Sequence, residues 1–78
     1  MKTTPERHTI CADFARRAAE RLEAGARDTR FTALSRLHYA AMARVERLSQ
    51  AYHEEAARLA EQGIAAPGWI EWLQARGI

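Results

Sequence analysis

Seventy-eight residues make a chain the size of one small domain. Such a chain buries only about 60% of its unfolded surface, and association often makes up the shortfall. The single cysteine, Cys11, excludes an intramolecular disulfide, no Cys/His cluster suggests structural zinc, and the formal net charge of +2 is spread along the chain rather than gathered in a basic tail.

The first ten residues, MKTTPERHTI, contain no apolar run, so no signal peptide is expected. Nothing approaches the roughly 20 apolar residues that cross a bilayer. With one cysteine and no membrane signal, a cytoplasmic location is the expectation. Residues 1–24 carry five basic and four acidic side chains, residues 25–63 six and five, and residues 64–78 one of each, so the pI of 9.2 overstates the basic character. Alanine is abundant and arginine replaces lysine almost everywhere. That suits helices, and it suits a GC-rich bacterial genome or its phages and plasmids.

In chain order, Thr4-Pro5-Glu6 is a helix start, with threonine as N-cap, proline at the first helical position and an acid in the first turn. The first helix is predicted over 5–24, stopping at Gly25, with Ile10, Cys11, Phe14, Ala15, Ala18 and Leu22 on its apolar side. Asp13 with Arg16 and Arg17, and Arg16 with Glu20, have the spacing of ion pairs on the wet side. Gly25-Ala26-Arg27 is short enough to join antiparallel neighbours.

The second helix is predicted over 29–62, capped by Asp28 or Thr29 and closed by Gly63 in the left-handed conformation, with Ile64 set back against Leu59. Leu34, Leu37, Ala41, Val45, Leu48, Tyr52 and Leu59 recur at steps of three and four, the pattern of a buried stripe. At 1.5 Å per residue the two helices span about 30 and 50 Å. About 20 Å of the second, near Leu48 to Leu59, is then expected to overhang the first. A third helix over 67–76, with Pro67 at its start and Gly77 after its end, can cover that overhang, as can a second copy of the chain. The expected fold is all-α: a single helical domain over 1–78, an antiparallel hairpin with a short C-terminal helix, in a dimeric helical bundle.

A search for chemistry finds none. His8 and Cys11 are three apart but lack further metal ligands, and the simpler reading is an exposed histidine beside a small buried thiol. His53-Glu54-Glu55 lacks the second histidine of a metalloprotease helix, since Ala57 occupies that place; Glu54 and Glu55 are expected to pair with Arg58. No glycine-rich phosphate loop and no nucleophile with a base at recognisable spacing are present. The expectation is a non-enzymatic protein with no cofactor. His38, at the stripe's edge, reads as a boundary residue or a pH-tuned contact.

Arginines near the hairpin turn, Arg27 and Arg30 foremost, offer a nucleic-acid contact, but Glu20, Glu23 and Asp28 lie among them. The second helix is also too long for a helix-turn-helix reader. Beside the main stripe runs a mixed strip: Phe31, Ser35, Tyr39, Met42, Glu46, Ser49 and His53. Tyr39, Met42 and Glu46 on it have the composition of a partner surface. The same strip also reads as the wider half of the core. Trp69 and Trp72 face one way, as lids over the overhang or as anchors for another protein.

Size, composition and hairpin layout resemble the small helical proteins that phages and mobile elements make to bind and inhibit host regulators or machines, including transcriptional activators. The resemblance lies in format and transfers no residue roles. It implies a protein–protein interaction module, an inhibitor or adaptor that lays a helix face on a larger bacterial protein. The other expectations are a small nucleic-acid-associated regulator using the arginine-rich turn, and a structural subunit of a larger assembly.

Overall fold

The structure is a computed structural model that describes residues 2–78. Three helices follow one another: α1 (Thr4–Arg27), α2 (Ala33–Glu61) and α3 (Trp69–Ala75), with no strand among the described residues. The first two form an antiparallel hairpin, and α3 folds back on α2. The fold is a slab with Cα extents of 47 × 30 × 13 Å, one helix thick.

The caps explain the boundaries. Thr3, one residue before the expected cap, accepts from Glu6 N–H while the Glu6 carboxylate accepts from Thr3 N–H, a reciprocal capping box. At its other end α1 runs through Gly25 to Arg27, and Asp28 is its C-cap. Asp28 therefore does not start α2. Its carboxylate accepts from the Arg30 backbone and guanidinium, closing a tight turn, and Thr32 caps α2 through Ser35 N–H. Gly63 has φ +74°; its N–H reaches Ala60 O and the Ile64 N–H reaches Leu59 O at 2.9 Å. This is the paired bonding of a Schellman end, as the sequence leads one to expect. Gly77, φ +77°, repeats it after α3 with bonds to Gln74 and Leu73. Pro67 lies outside α3, which is N-capped by Gly68.

Packing departs from the expected pattern. The buried residues are Ala12, Ala15 and Ala19 of α1, Ala43, Ala56 and Ala57 of α2, and Trp72. The hairpin is thus closed mainly by alanine against alanine. The stripe from Leu34 to Leu59 is not what α1 covers: α1 meets the opposite side of α2, where Tyr39, Arg47 and His53 contact Gly25, Glu23 and His8. Likewise α1 turns its alanines inward and leaves Ile10, Cys11 and Phe14 exposed, so the thiol is not buried. Small side chains on both partners let two backbones approach closely, a match that the bulkier stripe cannot offer.

The predicted 20 Å overhang is absent as well. The helices have 24 and 29 residues, a difference of about 8 Å at 1.5 Å per residue. The start of α1 reaches the end of α2, where Pro5, Glu6, Thr9 and Ile10 share a groove with Glu61. What α3 covers is therefore a side of α2, not a projecting end.

Candidate interaction surface

Two clusters carry the polar and aromatic chemistry of the molecule. One surrounds Tyr52. Its hydroxyl donates to Pro67 O at 2.7 Å, and its ring meets Trp69 and Trp72 edge-on at centroid distances of 5.5 and 5.6 Å. The two indoles stack at 5.7 Å with 15° between planes. Trp72 is 4% exposed; its Nε1–H donates to Glu55 at 2.6 Å, and the Arg76 guanidinium lies 4.2 Å over its ring. Trp72 is therefore an internal anchor holding α3 to α2, while Trp69 keeps a partly exposed edge.

On the neighbouring side, His8 and His53 place their Nδ1 atoms 2.9 Å apart. Such a bond requires one ring to donate and the other to present a lone pair, so the two imidazoles cannot both be charged there. Burial first and the nearby His8 second hold the His53 pKa below the usual histidine value. No group of three or more His, Cys, Asp or Glu suited to a metal occurs among the described residues. Glu54 pairs with Gln50 and Glu55 with Trp72, so neither takes the expected Arg58 partner. Nothing in the sequence linked His8 to His53, because they are distant along the chain.

The second cluster lies on one broad face of the slab, over the turn-proximal half. Ala18, Arg21, Leu22 and Gly25 of α1 and Phe31, Tyr39, Met42 and Glu46 beyond the turn line an open groove. Three predicted partner residues, Tyr39, Met42 and Glu46, thus come together here, while Trp69 and Trp72 are in the other cluster. Tyr39 is laid on Gly25, where an added Cβ would sit 3.1 Å from the ring, and meets Phe31 edge-on at 5.3 Å. The mixed strip, which in the sequence reads either as a partner surface or as the wider half of the core, has no fully buried member, and Phe31, Tyr39, Met42 and Glu46 of it border the groove. Phe14 lies on the α1 face that bears Ala18 and Arg21, four and seven residues on. At 72% exposed it was missed, because α1's apolar side was expected to face inward.

The opposite broad face carries several ion pairs beside a groove lined in part by Ala26, Ala40, Ala43 and Leu48. Glu23 takes a two-pronged bond from Arg47 at 2.7 and 2.9 Å, which holds the Glu23 carboxyl below its ordinary range. Arg16 bonds Asp13 and Glu20, and Arg17 bonds Asp13. Of the arginines considered for nucleic acid, both Arg27 and Arg30 are exposed, and Arg30 pairs with Asp28.

Comparison with family models, with curated proteins and with solved structures gave no match. No helix is long and apolar enough to cross a membrane.

Proposed function

We propose that this chain is a non-enzymatic protein–protein interaction module, an inhibitor or adaptor that accepts a segment of a larger bacterial protein, such as a transcriptional regulator, in the groove between α1 and α2. One observation carries the reading: the chain closes its hairpin with alanines and leaves Ile10, Phe14, Phe31, Leu34, Leu37, Met42 and Val45 exposed. A buried methyl contributes about 0.8 kcal/mol, against about 1.5–3 for a Leu or Phe side chain. The groups best able to drive association are thus kept on the surface. Phe31 and Met42 in the groove, and the exposed Phe14 one turn before Ala18 on the same face of α1, supply apolar contact, with Arg21 and Glu46 to set orientation. Pairing of Arg30 with Asp28 weakens the case for phosphate binding at the turn.

The test is capture on the immobilised chain from nuclease-treated lysate of its source. One protein should be retained in fixed stoichiometry, and Phe14→Ser or Met42→Ser should release it while helicity is unchanged. Equal retention by both variants would refute the groove. Retention of nucleic acid alone from untreated lysate, lost in Arg27→Ala with Arg30→Ala, would assign the chain to nucleic-acid regulation instead.

A further inference from the structure

The stripe on α2 that α1 does not cover is divided in two. Its second half, at Tyr52 and Glu55, lies under α3. Its first half is bare: Leu34 is 78% exposed, Leu37 69% and Val45 57%, with Ala41 exposed between them. Leu34, His38, Ala41, Val45 and Leu48 alternate steps of four and three, the seam of a left-handed helix pair.

We infer that a second copy of this chain covers this half-stripe, with the two α2 helices antiparallel about a two-fold axis beside Ala41. Surface area supports a missing mate. A monomer of 8.8 kDa exposes about 4,800 Å² on the general scaling with mass. This chain exposes 5614 Å². The excess of about 800 Å² equals the share that each partner buries in a standard interface.

Direction follows from α3. Leu34 and Tyr52 are about five full turns apart at 3.6 residues per turn, so they point the same way. The α3 helix on Tyr52 therefore protrudes on the side where the bare seam must be met. In a parallel pair the two α3 helices would collide and hold the seams apart. In an antiparallel pair centred on Ala41, Leu34 meets the second copy's Leu48, and Leu37 and His38 meet its Val45. Each α3 then falls beyond the start of the other α2, beside the connection at Asp28–Thr32. The tail thus acts as a stop that selects orientation and register. The small Ala41 at the axis lets the helices approach, and Arg44 at the margin can lay its stem along the second copy's Leu37 with its charge in water.

Light scattering on the full chain at micromolar concentration should give twice 8.8 kDa. Ala41→Glu, which sets two carboxylates face to face at an exposed position, should halve that mass without loss of helicity, whereas Phe14→Ser, outside the seam, should leave it unchanged. Cysteine pairs in a Cys11→Ser background give the direction. Ala41→Cys should oxidise to a linked dimer by itself, and Leu34→Cys only when mixed with Leu48→Cys. Self-linking of Leu34→Cys would establish a parallel pair and overturn the role of α3. A monomer at all concentrations would overturn the dimer, yet leave the groove reading intact if Phe14→Ser still released a captured protein. A dimer that captured nothing would do the reverse.

Discussion

The two halves of the α2 stripe have the same periodicity and opposite fates. From Tyr52 onward the stripe is closed by its own chain: two indoles, a tyrosine hydroxyl bond and a carboxylate accepting from Trp72. From Leu34 to Val45 the side chains are as apolar, and they are bare. Hydrophobic periodicity therefore states that a face will be covered without stating by what. Seven residues of α3 suffice to decide the first case, and no element of the chain covers the bare half.

The largest effect should come from uncovering the closed half. Trp72→Ala removes a side chain that is 4% exposed, its bond to Glu55 and its stack on Trp69. Truncating a buried aromatic costs about 3–5 kcal/mol. In a chain this small that should release α3, seen as a marked fall in the urea midpoint and a red shift of Trp69 emission. An unchanged midpoint would show that α3 is no lid. A smaller step is Tyr52→Phe, which removes only the donor to Pro67 O. About 0.5–1.5 kcal/mol is expected, with α3 still docked. The matching change in the bare half, Val45→Ala, should barely alter the folded chain in isolation. If the proposed dimer forms, its effect should instead appear as a lower melting temperature that depends on protein concentration, because the packing it weakens would lie between two chains.

Much of the fold was legible and its key interface was not, for a physical reason. Pro5, Gly63 and Gly77 mark helix ends by backbone chemistry alone, and the structure keeps all three near a terminus. Gly25 reads as a stop by the same rule, yet it lies within α1, where the Tyr39 ring packs close against it. Ala43, Ala56 and Ala57 carry little hydrophobic weight on a wheel, so the stripe of Leu and Val outranked them. What decided the contest was fit between two helices, which one helix's pattern cannot contain. The groove shows the same division. Tyr39, Met42 and Glu46 are found by their strip, whereas Arg21 lines the groove, with Phe14 on the same face of α1, only because α1 turns its alanines inward.

The His8–His53 contact links the two regions, since it ties the start of α1 to the α2 turn that bears Tyr52. His53 resists protonation in the folded chain because of its burial and of His8. The unfolded chain has no such resistance, so below the ordinary histidine value of about 6.5 it binds more protons than the folded one. Stability should therefore fall as pH drops through that value and be flat above it. Melting temperatures measured from about pH 7.5 to about 5.5 should show the fall, and His53→Gln should lessen it. A rise on acidification would mean that the imidazoles do not share a proton.

The smallest effect belongs to the turn end of the hairpin. Gly25→Ala adds a methyl 3.1 Å from Tyr39 Cδ2 and 3.3 Å from Cγ, so the ring must yield by a few tenths of an ångström. Against this, alanine is favoured over glycine inside a helix by up to about 1 kcal/mol. Tyr39 is only partly buried, and the ring behind it, Phe31, sits in the connection and is itself exposed. Both can shift together, so a net stabilisation of a few tenths of a kcal/mol is expected, a rise of roughly 2 °C for a domain of this size. A fall instead would show Tyr39 clamped between Gly25 and Phe31. The groove would then be a preformed surface at its turn end, which would favour a partner that binds without rearranging it.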